Sequence, residues 1–179
     1  MNNTSLTALG GIISALSVFV MFLSGVFPFL TYVIPALSGL ILIVTVREAE
    51  LKWSFFIYCA VAILSMLVVA DKEAAIMYTF FFGHYPVVRE LFERHLKGVF
   101  KPVAKFALFN ASVVLGYLVI IYIFAIPIEG LDEFGKYTVP ILLGMGNVIF
   151  VMYEYILSNL FIIYDKRWHK HVAKIFGIR

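Results

Sequence analysis

From Leu6 to Val46 the chain carries no charged residue. About 20 apolar residues cross the hydrocarbon of a bilayer, so a run this long is two crossings rather than one. The break falls at Ser24-Gly25-Val26-Phe27-Pro28, where Gly and Pro together punctuate a helix. Helices are therefore expected over residues 6–23 and 28–46. Pro35 is expected to kink the second, which membrane helices tolerate when neighbours satisfy the freed carbonyl. The whole composition agrees. Apolar residues make up 63% and charged residues 14%, against roughly 45–50% and about 25% in soluble proteins. A water-soluble core cannot absorb that much apolar surface, whereas a bilayer can.

Further along, the charged turn Arg47-Glu48-Ala49-Glu50-Leu51-Lys52 precedes a helix expected over 53–70, with Trp53 where an interfacial aromatic belongs. Asp71-Lys72-Glu73 is a second short turn, followed by a helix over 74–88. The polar stretch 89–102 alternates Leu91, Leu96, Val99 and Phe100 with charges, the pattern of an interfacial amphipathic helix, its length limited by Gly98 and Pro102. Helices over 103–126 and 137–164 follow, separated by an acidic loop with Glu129, Asp132 and Glu133, and a basic tail runs to Arg179. The fold class is all-α: a single six-helix membrane bundle over residues 1–179. MNNTS carries no basic residue and no cleavage site follows it, so the first apolar segment is expected to be retained.

Charge sets the expected orientation. Of the 14 Lys and Arg, all but Lys72 and Lys136 fall in the segments that share a side with the N-terminus. Basic residues stay in the cytoplasm, so both termini are expected there, in a multi-pass protein of a cell membrane, the bacterial cytoplasmic one by preference. The basic runs adjoin apolar segments and form no phosphate-reaching face, so nucleic acid is not an expected partner. Cys59 lies alone in an apolar run, which excludes an intrachain disulfide and any multi-cysteine metal site.

A few residues stand out against this apolar background. Ala8, Gly11 and Ala15 share one face of the first helix. Small residues allow helices close approach, either within the bundle or against a separate partner. On the last helix Asn147, Val151, Glu154 and Ser158 draw one stripe, with Gly144 and Gly146 just before it. A carboxylate halfway along a crossing costs a few kcal/mol, so Glu154 is expected to face the interior as a structural or functional group. Asn110 lies at the same depth as Glu154 and is expected to bond it, with Tyr117 on the Asn110 face and His84 near enough to join. Asp71, Lys72 and Glu73 face the other side, as a solvated turn or as part of a substrate entrance. There is no Walker loop, dinucleotide fingerprint, HExxH or GxSxG. No enzyme activity, cofactor or metal is expected, and any ATP-driven work must come from a partner.

Short length, six helices, inside termini and the small-residue face in LTALGGIISALS followed by PALSGLILIV resemble the substrate-binding S components of energy-coupling factor transporters. The resemblance implies docking of a membrane coupling subunit, driven by two ATPases, on Ala8, Gly11 and Ala15. It departs from strict four-residue spacing at Ala8, where position 12 is Ile. It implies substrate contacts from Asn147, Asp71, Lys72 and Glu73, with Glu154 and Asn110 as internal polar anchors. The family caps its substrate with outer loops; here the first two are very short, which implies a small or partly apolar ligand. Two other readings stand beside it: a scaffold of envelope synthesis or cell shape, docking through Arg89–Lys105 and Asp165–Arg179, and a lipid flippase or lipid-handling protein.

Overall fold

In the computed structural model, residues 3–124 and 138–175 are described, and they form helices and short connections with no strand among them. The acidic loop with Glu129, Asp132, Glu133 and Lys136, the expected helix ends at 125–126 and 137, and Arg179 lie outside the described residues.

The first helix, α1, runs Asn3–Phe22 and passes through two tight turns, Leu23–Gly25 and Pro28–Leu30. The expected helix over 28–46 is broken: α2 spans Val33–Ile41 and α3 spans Ile43–Glu48. Pro35 does not cause the break. It sits in the first turn of α2, where backbone N–H groups have no intrahelical acceptor, so its missing donor costs nothing. The break falls at Leu42, whose N–H turns to the Gly39 carbonyl at 3.2 Å. Next, α4 runs Leu51–Val68, shifted two residues from the expected span.

The expected helix over 74–88 and interfacial segment over 89–102 are also re-divided. Helix α5 is Lys72–Met77, a wider π-helical turn takes Tyr78–Phe82, and α6 is Tyr85–His95. Pro86 opens α6, so Arg89 and Glu90 belong to its middle and are buried at 7% and 6% exposure. The chain turns at Gly98, whose positive φ of 56° only glycine adopts without strain. Helix α7 then begins at Phe100, with Pro102 harmless in its first turn, and ends at Tyr122. Helix α8 runs Thr138–Ile163 and continues without a break through a wide turn, Tyr164–Trp168, into α9, His169–Ile175. The basic tail is thus helical as far as it is described.

Among the described residues, four stretches are long and apolar enough to cross a membrane: Thr4–Gly25, Leu51–Val68, Phe100–Tyr122 and Pro140–Val172. No more than 28% of any of them is buried. Phe19, Phe56, Leu67, Val148 and Met152 point outward, as suits helices solvated by lipid rather than water. The inside is a core with two main parts and a small third one of Ile76, Met77 and Ile120. One joins α1, α2, α4 and α5 through Leu9, Ile13, Met21, Ile34, Val61 and Ala74. The other is aromatic and joins α6, α7 and α8: Phe81 meets Tyr85, Phe109, Phe150 and Tyr153 at 4.8–6.0 Å.

The two broken segments cross each other at the centre. A Cβ on Gly39 would lie 2.2 Å from the Phe82 carbonyl oxygen, so α2 meets the π-helical turn backbone to backbone. That wide turn shifts the hydrogen-bond ladder, and the Thr79 carbonyl accepts a bond from the Tyr58 hydroxyl at 2.6 Å.

Candidate functional site

Polar side chains gather at three levels. At the first level, α6, α7 and α8 meet around Glu154. Its carboxylate accepts bonds from Arg89 Nε at 2.9 Å, Lys105 Nζ at 2.6 Å and the Tyr85 hydroxyl at 2.6 Å. Arg89 also donates to the Ser158 hydroxyl at 2.7 Å. Lys105 is shared with Glu93 at 2.7 Å, and Glu93 binds Lys101 at 2.6 Å. The result is a chain of alternating charge, Lys101–Glu93–Lys105–Glu154–Arg89, with one cation in excess.

The network spreads to the end of α3. Arg47 bonds Glu90 at 3.3 Å and Asp165 at 3.1 Å, and the guanidinium groups of Arg47 and Arg89 both lie over the Phe161 ring. Glu48, fully buried, accepts from the Tyr164 hydroxyl at 2.7 Å and lies 2.7 Å from His169 Nδ1. Beside this network a groove of about 360 Å³ opens, with Glu93, Lys101, Lys105 and Glu154 on its polar side and Phe106 and Phe150 on its apolar side.

At the second level Asn110 and Asn147 exchange two amide bonds, at 3.0 and 2.9 Å. Each also donates to the carbonyl one turn back, Phe106 and Leu143. Asn110 was expected to bond Glu154. It bonds Asn147 instead, because α7 and α8 run antiparallel: Lys105 faces Glu154, and Asn110 then faces the residue two turns before it. Seven residues on a helix separate the two levels by about 10 Å.

At the third level Asp71 caps α5, accepting from the Ala74 N–H at 3.0 Å, and accepts from the Thr31 hydroxyl at 2.9 Å. Lys72 turns back onto the Met66 and Val69 carbonyls that end α4. Glu73 accepts from the Tyr32 hydroxyl, which lies 3.0 Å from the Tyr117 hydroxyl. His84 joins none of the levels; its ring meets Tyr58 edge-on.

Asn147, Glu154 and the Asp71–Glu73 group are thus not one pocket but three levels. The sequence points to Glu154 but not to Arg89, Lys105, Glu93, Lys101 and Tyr85. A signal was present: Lys101 and Lys105 are one turn apart, as are Arg89 and Glu93, so each pair shares a helix face. On α1, Leu9, Gly10, Ile13 and Ser17 face the bundle, whereas Ala8, Gly11 and Ala15 face outward, and a Cβ on Gly11 would meet nothing within 4 Å. Among the described residues no three His, Cys, Asp or Glu side chains come close enough to hold a metal ion.

Among the described residues, the all-helical architecture and four membrane-length apolar helices define the class: a helical membrane protein. Comparison with protein-family models finds no match, and comparison with curated proteins and with solved structures finds none either.

Proposed function

We propose that the chain crosses the membrane six times, with both ends in the cytoplasm, and is the substrate-binding membrane subunit of an ATP-driven importer of the energy-coupling factor type. The broken segments 28–48 and 72–95 supply the two further crossings. At about 1.5 Å per residue each reaches about 30 Å or more, the thickness of the hydrocarbon. Interrupted helices are tolerated at membrane depth when packed against protein, and in transporters they mark substrate sites.

The observation that carries the reading is the outward face of α1. Ala8, Gly11 and Ala15 spend no packing inside the bundle, and between exposed Ile12, Leu16 and Phe19 they leave room for a partner helix to approach. The substrate, small or partly apolar, enters at the end that holds Asp71, Lys72 and Glu73, with Tyr32 and Tyr117 beside them, and the Asn110–Asn147 pair lies deeper. The partners are a membrane coupling subunit and ATPases.

The test is purification of the tagged protein from its native membranes. A coupling subunit and ATPases should accompany the wild type and be lost from an Ala8→Leu, Gly11→Leu, Ala15→Leu variant that stays folded. Recovery of the wild type alone, with uptake of small molecules unchanged in its absence, contradicts the reading. Of the two surfaces the scaffold alternative would use, the segment 89–105 spends Arg89, Glu90, Glu93, Lys101 and Lys105 on intramolecular ion pairs, whereas residues 165–170 of the tail are exposed.

A further inference from the structure

Between the start of α4 and the middle of α6, away from the three polar levels, a groove of about 380 Å³ opens to the side of the bundle. Leu51, Phe55 and Phe56 form one wall and Val87, Val88 and Leu91 the other; of its lining residues only Lys52 is charged. Phe55, Phe56 and Leu91 are 47%, 67% and 44% exposed, so nothing in the fold fills the slot. Its polar end is near the ion network, since Arg47, five residues before Lys52, pairs with Glu90, the neighbour of Leu91 in the chain. Lys52 itself is exposed and takes no part in an ion pair or hydrogen bond among the described residues. One turn beyond Leu91, exposed His95 turns Nδ1 to the Leu91 carbonyl at 2.9 Å.

We propose that this groove binds an anionic phospholipid, with an acyl chain between α4 and α6 and the headgroup phosphate at Lys52. The case is charge complementarity across a short distance. An apolar slot on a membrane-length helix wants a hydrocarbon filler, and the unpaired ammonium at its polar end wants a negative charge. A phospholipid brings both in one molecule, whereas a partner helix meets the second demand only if it carries an acid at that depth. The site does not depend on the importer reading and holds whatever the chain transports.

The experiment is native mass spectrometry of the full chain titrated with phosphatidylglycerol and, separately, with phosphatidylcholine of identical acyl chains. Phosphatidylglycerol should be retained preferentially. Lys52→Ala should lower its apparent affinity about fivefold, the effect of one basic residue at an anionic surface, and Lys52→Arg should keep it. Leu91→Trp, which fills the slot from an exposed position, should reduce retention of both lipids. Equal retention of the two lipids, or retention unchanged by Lys52→Ala or by Leu91→Trp, overturns the proposal. So does a photo-crosslinking residue at Phe56 that captures a polypeptide in native membranes instead of lipid.

Discussion

Glu154 is neutralised by two cations from two different helices, Arg89 and Lys105, buried alike at 9% and 10% side-chain exposure. Removing one member of a buried pair leaves an uncompensated charge, at a cost of about 3–5 kcal/mol. Lys105 keeps Glu93 when Glu154 is lost, but Arg89 keeps no carboxylate. Glu154→Leu is therefore expected to lower stability by about 3 kcal/mol, and Glu154→Leu with Arg89→Met by less than the single change. Denaturant titration of the detergent-solubilised protein checks this; a double variant worse than the single would show that the pair itself carries net stability. The asparagine pair is a smaller effect. Interhelical hydrogen bonds in membranes are worth about 0.6 kcal/mol on average. Asn110→Leu or Asn147→Leu alone should cost about 1 kcal/mol and the double substitution less than the sum, since no amide is then left without its partner.

At this scale the sequence exposed Glu154, because a lone carboxylate amid apolar residues is conspicuous. It hid the partners, because Arg89 and Lys105 lie 65 and 49 residues away in the chain and their pairing exists only after α6 and α7 dock.

Among the elements, the long apolar helices were legible and the broken ones were not. Length and hydropathy fix α1, α4, α7 and α8 within a few residues. The break at Leu42 carries no local mark, since GLILIV reads as continuous helix and the nearby Pro35 points to the wrong place. The cause is tertiary: α2 must bring Gly39 against the Phe82 carbonyl. Two glycine substitutions separate the consequences. Gly39→Ala places a Cβ 2.2 Å from backbone and should prevent folding or cost several kcal/mol. Gly11→Ala enters open space and should stabilise α1 by about 0.8–1 kcal/mol through helix propensity. Thermal melts and membrane yield of the two variants read the contrast directly, and equal effects would mean that the α2 crossing is looser than the contact at Phe82 implies.

For the whole molecule, the all-helical membrane class followed from composition and the uncharged run, while the path of the chain through the bilayer rests on the broken segments. If 28–48 and 72–95 both cross, Lys72 and Lys136 lie outside, and Lys97 and Lys170 lie inside with the ion network. The proposed lipid groove and the proposed docking face of α1 both take their depth from that arrangement. Single cysteines at these four positions, in a Cys59→Ser background, can be labelled in intact cells with a membrane-impermeant maleimide. The account predicts labelling of Lys72→Cys and Lys136→Cys from outside, and of Lys97→Cys and Lys170→Cys only after permeabilisation. Labelling of Lys72→Cys and Lys97→Cys from the same side would show that the segment 72–95 does not cross, and would contradict the six-crossing bundle.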